Sequence, residues 1–232
     1  MLVSLNLPKA VLFDWDGTLV DTIPGLRLAH NYVREALGYA PWTEDQFWQN
    51  LKRSARELYP DVYGDKSEEA LKILYDFVDK NHLNYLSALD DARAVLEILT
   101  EQAIPCGVVS NKRHEYLLRE IKHLGWQDFF FDAMGAGVAQ RDKPSADPLF
   151  LMLDRTSRGL LPQEVWMVGD TETDLAAGKA AGCPTVLITH GKDHKVLIDQ
   201  YNPLFVLNNC GELLSLLRPC TKRSLAISGA IE

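Results

Sequence analysis

Four stretches of this sequence carry residue types that could do chemistry. Asp14-Trp15-Asp16-Gly17-Thr18-Leu19-Val20-Asp21 follows a short apolar run, Ser110-Asn111-Lys112 follows a second, and Gly169-Asp170-Thr171-Glu172-Thr173-Asp174 follows a third. Lys143-Pro144 lies in the polar stretch beginning Gln140-Arg141-Asp142. Asp14, Asp16, Asp170 and Asp174 offer carboxylate oxygens suited to a hard divalent cation. Mg²⁺ commonly takes one or two carboxylates while keeping waters and a substrate phosphate. Clustered carboxylates without a cation would raise one another's pKa, so a metal is implied. A carboxylate is also a competent nucleophile toward phosphorus, giving an aspartyl-phosphate. Lys143 and the Ser110 hydroxyl could hold phosphate oxygens, and the amides after Asp14 and Ser110 are expected at helix N-termini. Any one stretch reads equally well as a helix cap or turn, where Asp, Ser, Asn and Gly are the usual choices. All four in this order do not.

The elements that must position these residues are legible from periodicity. Ala10–Phe13, Cys106–Val109, Val165–Val168, Thr185–Ile188 and Phe205–Leu207 are continuous apolar runs, as expected for parallel strands covered on both faces. Helical faces lie between them, such as Ala92/Val95/Leu96/Leu99 and Leu117/Ile121/Leu124, with Gly125 and Gly182 as stop signals. This alternation predicts an α/β fold with a doubly wound parallel sheet, whose ligands bind beyond the carboxyl ends of the strands. One stretch breaks it. From Pro24 to Leu86 there is no strand-like run, only the helical patterns Leu26/Ala29/Val33/Leu37, Phe47/Leu51/Ala55/Leu58 and Leu71/Leu74/Val78, punctuated at Pro41 and from Pro60 to Asp65. That is far too long for a βα connection. The expected organisation is a core of residues 1–21 and 87–218, an inserted small α-helical domain of residues 22–86, and a polar tail of residues 219–232.

Composition narrows the function classes. The 232 residues are 47% hydrophobic and 24% charged, ordinary globular usage that excludes disorder, collagen and coiled coil. A net charge of −8 makes nucleic acid and anionic lipid poor partners. No apolar run approaches a membrane span, and residues 1–8 carry no signal-peptide pattern. Cys106, Cys183, Cys210 and Cys220 have no metal-like spacing and read as reduced thiols, so the expectation is a cytoplasmic protein.

The four stretches resemble, in order and spacing, the four motifs of the haloacid-dehalogenase-like (HAD) hydrolase superfamily, over about residues 9–191. The resemblance implies a role for each residue. Asp14 is the nucleophile that becomes phosphorylated. Asp16 is the general acid toward the leaving group and then the base that activates water, while its backbone carbonyl helps hold Mg²⁺. Ser110 and the Asn111 amide hold the phosphoryl group, and Lys143 steadies nucleophile and phosphate. Asp170 ligates Mg²⁺, so that Asp14, Asp16 and Asp170 form the metal set. Asp174 supports the metal, through water or by holding Lys143. The helical insert corresponds to a cap domain that selects the substrate.

Asp16 argues against the dehalogenase and phosphonatase branches, and Leu26 stands where the mutase branch carries a histidine. The phosphoglycolate-phosphatase-like branch is the nearest, matched through its Asp-Gly-Thr-Leu-Val-Asp-Ser start except at Thr22. Lys52 replaces the glycine of that branch's Gly-Arg pair, and Lys52 and Arg53 are the candidate specificity residues. The expected substrate is a small phosphate monoester (phosphoglycolate-like, nucleotide or sugar phosphate), acted on by a monomer or homodimer. The rival reading is a catalytically weak regulatory or partner-binding protein, which would have been free to lose Asp14, Asp16, Lys143 or Asp170. Other features read as structural: His190 and His194 as loop residues, His30 as a packed histidine, and Trp42, Phe47 and Trp48 as packing of the insert.

Overall fold

A computed structural model describes residues 7–50, 55–156 and 158–218. The chain opens with β1 (Ala10–Phe13) and the two-residue β2 (Val20–Asp21). Four helices follow: α1 (Ile23–Ala36), α2 (Glu44–Asn50), α3 (Ala55–Tyr63) and α4 (Ser67–Asn81). β3 (Ser87–Ala88) then returns the chain to α5 (Ala92–Glu101), β4 (Cys106–Arg113), α6 (His114–His123), β5 (Phe130–Ala136) and α7 (Asp147–Arg155). The last units are β6 (Val165–Gly169), α8 (Glu172–Ala181), β7 (Thr185–Ile188), α9 (Lys195–Tyr201), β8 (Phe205–Leu207) and α10 (Cys210–Leu217).

Six strands form a parallel sheet in the order β5-β4-β1-β6-β7-β8. β1 is central, flanked by β4 and β6, so the three strands whose ends carry Asp14, Ser110 and Asp170 lie side by side. Alternate side chains explain the continuous apolar runs. Val11 and Phe13 pack with Val95, Leu96, Leu117 and Leu213 on one face, and Ala10 and Leu12 pack with Leu149, Met152 and Ala177 on the other. Burying Leu12 or Phe13 stabilises the fold by about 2 kcal/mol each. The expected stop signals act as such: Gly182 ends α8 at φ +79°, and Gly125 follows α6 at φ +66°.

The helical segment packs on a cluster of its own, in which Val33, Trp42, Phe47, Tyr59 and Leu74 are buried. Its two ends are clasped together by an antiparallel pairing of Val20 with Ala88 and Asp21 with Ser87. The sequence does not reveal this ribbon, because two residues per strand carry no periodicity. β5 was likewise not expected, since its first three residues are only half-buried. Pro60 does not end its helix. α3 continues through it to Tyr63, whose ring meets that of Tyr59 at 4.8 Å. The single helical pattern expected around Phe47 and Leu58 is divided into α2 and α3, on either side of residues outside the described set.

Candidate active site

The site is built at the carboxyl ends of β1, β4 and β6. Asp14 leaves β1 buried, and its Oδ1 accepts a hydrogen bond from Lys143 Nζ at 2.6 Å. The same ammonium donates to Asp174 Oδ1, also at 2.6 Å. Lys143 is 4% exposed and Asp174 1%. Such a buried triad persists only because every charge is paired. Asp174 Oδ2 accepts from the Thr171 amide at 3.0 Å and its hydroxyl at 2.6 Å, which anchors the start of α8 after β6. Asp170 accepts from Thr18 Oγ1 at 3.3 Å. Carboxylate oxygens of Asp14, Asp170 and Asp174 lie within 4.8 Å of one another.

Electrostatics follow from this crowding. Burial raises the Asp14 pKa well above the usual carboxylate range; Lys143 pulls it down, and Asp174 and Asp170 add to the rise. Burial, with the charge of Asp174, pushes Asp170 up to about 7. Burial opposes the charge on Lys143, but Asp14 and Asp174 outweigh it and hold the ammonium above its ordinary value. Since Asp174 is committed to Lys143 and Thr171, Asp14 and Asp170 are the carboxylates left to meet a cation. A divalent ion would relieve the desolvation that raises both. The donor set therefore fits a hard metal such as Mg²⁺.

Asp16 faces a different neighbourhood. Its Oδ1 accepts from Thr22 Oγ1 and from Lys112 Nζ, both at 2.7 Å, and its side chain stays outside the three-aspartate cluster. Ser110 is buried at the end of the apolar part of β4, and its Oγ accepts from the Lys112 amide at 3.1 Å. Asn111 Nδ2 donates to the Lys143 carbonyl at 2.8 Å, tying the second motif to the third. The helix N-termini expected just after Asp14 and Ser110 are displaced: a turn and β2 follow Asp14, and β4 runs on to Arg113. Irregular pairing between Val109 and Arg113 makes that extension possible.

Asp14, Asp16, Ser110, Asn111, Lys112 and Lys143 share a cavity of about 530 Å³, whose lining does not include Asp170 or Asp174. Asp14, Asp16, Ser110, Asn111 and Lys143 form its floor, and Leu26, Phe77, Val78, His82 and Tyr85 of the helical segment line it from the other side. The candidate specificity residues Lys52 and Arg53 lie outside the described residues. His30 is packed, its Nδ1 2.9 Å from the Tyr59 hydroxyl. Trp42 and Phe47 are buried, but Trp48 is exposed, with Lys192 Nζ 4.8 Å over its ring. His190 does not pair with His194; its Nε2 is 2.6 Å from the Gly17 carbonyl. Burial pushes the thiols of Cys106, Cys183 and Cys210 up to about 12, which leaves them protonated and inert at neutral pH.

Sequence reasoning missed three residues here: Lys112, Glu120 and Trp15. Glu120 is 1% exposed, and its Oε2 accepts from Lys112 Nζ and from Trp15 Nε1, each at 2.7 Å. The signal was an acidic residue within the apolar face Leu117/Ile121/Leu124 of α6.

A parallel sheet presenting these four motifs at one edge defines a haloacid dehalogenase-like hydrolase. The model of that family matches residues 11–188, and the chain belongs to it. Curated relatives share most of its length. The phosphoglycolate phosphatase of Chromobacterium violaceum is 32% identical, over 82% of this chain and 88% of its own. That of Escherichia coli K12 is 26% identical, over 90% and 92%. Among solved structures, a haloacid dehalogenase-like family hydrolase from Streptococcus pneumoniae superposes with a TM-score of 0.77 at 21% identity, over 91% of this chain and 99% of that one. None of the helices among the described residues is long and apolar enough to cross a membrane.

Proposed function

We propose that the chain is a Mg²⁺-dependent phosphatase that hydrolyses a small-molecule phosphate monoester through a phosphorylated Asp14. The observation that carries this reading is the Lys143 ammonium, buried and shared between Asp14 and Asp174 at 2.6 Å each, on the floor of a cavity. Lys143 holds Asp14 Oδ1, which leaves Oδ2 as the attacking oxygen. As Oδ2 bonds to phosphorus, the bond from phosphorus to the leaving oxygen breaks, and its electron pair and a proton from Asp16 end on that oxygen. A water then gives its proton to Asp16 and attacks phosphorus, and the bond from Asp14 breaks to release inorganic phosphate. Ser110, Asn111 and Lys143 line the cavity where the phosphoryl oxygens would lie. Mg²⁺, held by Asp14, Asp170 and the Asp16 carbonyl, would offset charge on the transferring group.

Residues 22–86 act in this reading as a cap over a core of residues 1–21 and 87–218. The apolar residues they contribute to the cavity support it, and so does a cavity sized for a metabolite. The relatives' names favour phosphoglycolate-like esters, with nucleotides and sugar phosphates as the other substrates to try. Lys52 and Arg53 would sort substrates by a distal anionic group, so Lys52→Ala or Arg53→Ala should raise KM for the best natural ester more than for phenyl phosphate.

The test is a panel of phosphorylated metabolites with Mg²⁺, followed by quenching to recover phosphate bound to protein. Turnover of a small ester, with label lost in Asp14→Asn, is the expected result. No turnover of any ester would reject the reading.

A further inference from the structure

Three side chains that no motif role requires form a chain of contacts ending on Asp16. Trp15 Nε1 donates to Glu120 Oε2 at 2.7 Å. Lys112 Nζ donates to the same oxygen, and to Asp16 Oδ1, also at 2.7 Å each. Glu120 is buried in α6 at the border of the cavity, where an uncompensated carboxylate would cost several kcal/mol. Its burial makes sense if it holds something in place. What it holds is Lys112, a residue whose four-carbon stem is otherwise free to rotate. Trp15 lies between Asp14 and Asp16 in the chain, so the segment carrying both carboxylates is itself pinned to Glu120.

The consequence falls on Asp16. Among the described residues its two side-chain donors, Lys112 Nζ and Thr22 Oγ1, both meet Oδ1. That oxygen is saturated, so a proton carried by Asp16 sits on Oδ2. We infer that Lys112, fixed by Glu120 and Trp15, is a positioning residue that makes Asp16 Oδ2 the atom that protonates the leaving oxygen. The inference rests on the phosphatase reading above and adds to it a specific oxygen and the network that selects it. As the bond between phosphorus and the leaving oxygen breaks, the proton moves from Oδ2 to that oxygen, and the Oδ1 contacts to Lys112 and Thr22 stabilise the carboxylate left behind.

The experiment uses leaving groups of different basicity. An alkyl phosphate leaves as a strongly basic alkoxide and needs the proton, whereas p-nitrophenyl phosphate leaves as a weakly basic phenolate and does not. kcat/KM reports only the steps up to leaving-group departure, so water attack does not mask the effect. Lys112→Met should lower kcat/KM for the alkyl ester by about 10- to 100-fold, a large part of what general acid catalysis contributes. The value for p-nitrophenyl phosphate should fall less than about threefold. Glu120→Gln should show the same selectivity to a smaller degree, and Lys112→Arg should restore part of the alkyl activity. Equal losses on both esters, or none on either, would overturn the inference while leaving the phosphatase reading intact. A wild-type protein that cleaves neither ester would overturn both. Unfolding midpoints of the variants separate a folding defect, which lowers both esters together, from the predicted selectivity.

Discussion

Gly17 and Asp170 approach each other too closely for any side chain at position 17. The Gly17 backbone is left-handed at φ +81°, and a Cβ built there would collide with the Asp170 carboxylate. Gly17→Ala should therefore displace Asp170 as well as add backbone strain of about 1–2 kcal/mol. We expect at least a tenfold rise in the Mg²⁺ concentration needed for half-maximal activity, with only a small fall in unfolding midpoint. A variant with an unchanged Mg²⁺ requirement would show that Asp170 does not depend on this approach.

Asp14→Asn should bring turnover of any phosphate ester below about 1% of wild type, because an amide cannot attack phosphorus. The far-ultraviolet dichroism should stay the same. Residual activity well above that level would assign the nucleophile elsewhere.

Metal removal is the third test. Excess chelator should abolish activity in the wild type, and added Mg²⁺ should restore it. Mg²⁺ should not rescue Asp170→Ala, since that carboxylate is one of the two left to meet the ion. Full activity in chelator would mean that Asp14 and Asp170 hold no metal needed for turnover.

Lys143→Met keeps the length of the side chain but leaves Asp14 and Asp174 buried without their cation. Urea denaturation should show a loss of about 3–5 kcal/mol, the usual cost of removing one partner from a buried pair. Activity should vanish as well. A variant as stable as wild type would mean that solvent reaches the triad.

His30 predicts a pH dependence of stability. Burial lowers its pKa from 6.5 to about 4, so the unfolded chain binds the proton more readily than the folded one. The stabilising contribution is fully present above pH 6.5 and is lost as the pH falls toward 4, amounting to about 3 kcal/mol in all. Below that no more is lost. Urea midpoints of the wild type and His30→Phe, compared from pH 7 to 4.5, should shift in favour of the variant as the pH drops. A constant gap between the two would contradict the buried, neutral imidazole.

The sheet was legible because both its faces are covered. Ala10–Phe13 and Val165–Val168 have no polar alternation, and short runs written that way are expected of strands sandwiched between helices. The helices between β2 and β3 were legible from three 3.6-residue patterns. The motif carboxylates were legible because each follows an apolar run, where a parallel sheet delivers its ligands. By contrast, β5 is half-exposed along its first residues, and the ribbon joining Val20 to Ala88 is formed by residues 68 apart in the chain.

The sequence by itself therefore determined what β1, β4 and β6 carry out of the core, because covalent order and hydrophobic periodicity decide which residues follow each strand. Tertiary structure alone decided how those side chains pair. That Lys143 divides itself between Asp14 and Asp174, that Asp170 sits against Gly17, and that Lys112 joins Asp16 to a buried Glu120 are outcomes of packing. Desolvation sets the energy of a buried charge, and its partner is whichever opposite charge the fold brings within about 3 Å, a distance no spacing along the chain encodes.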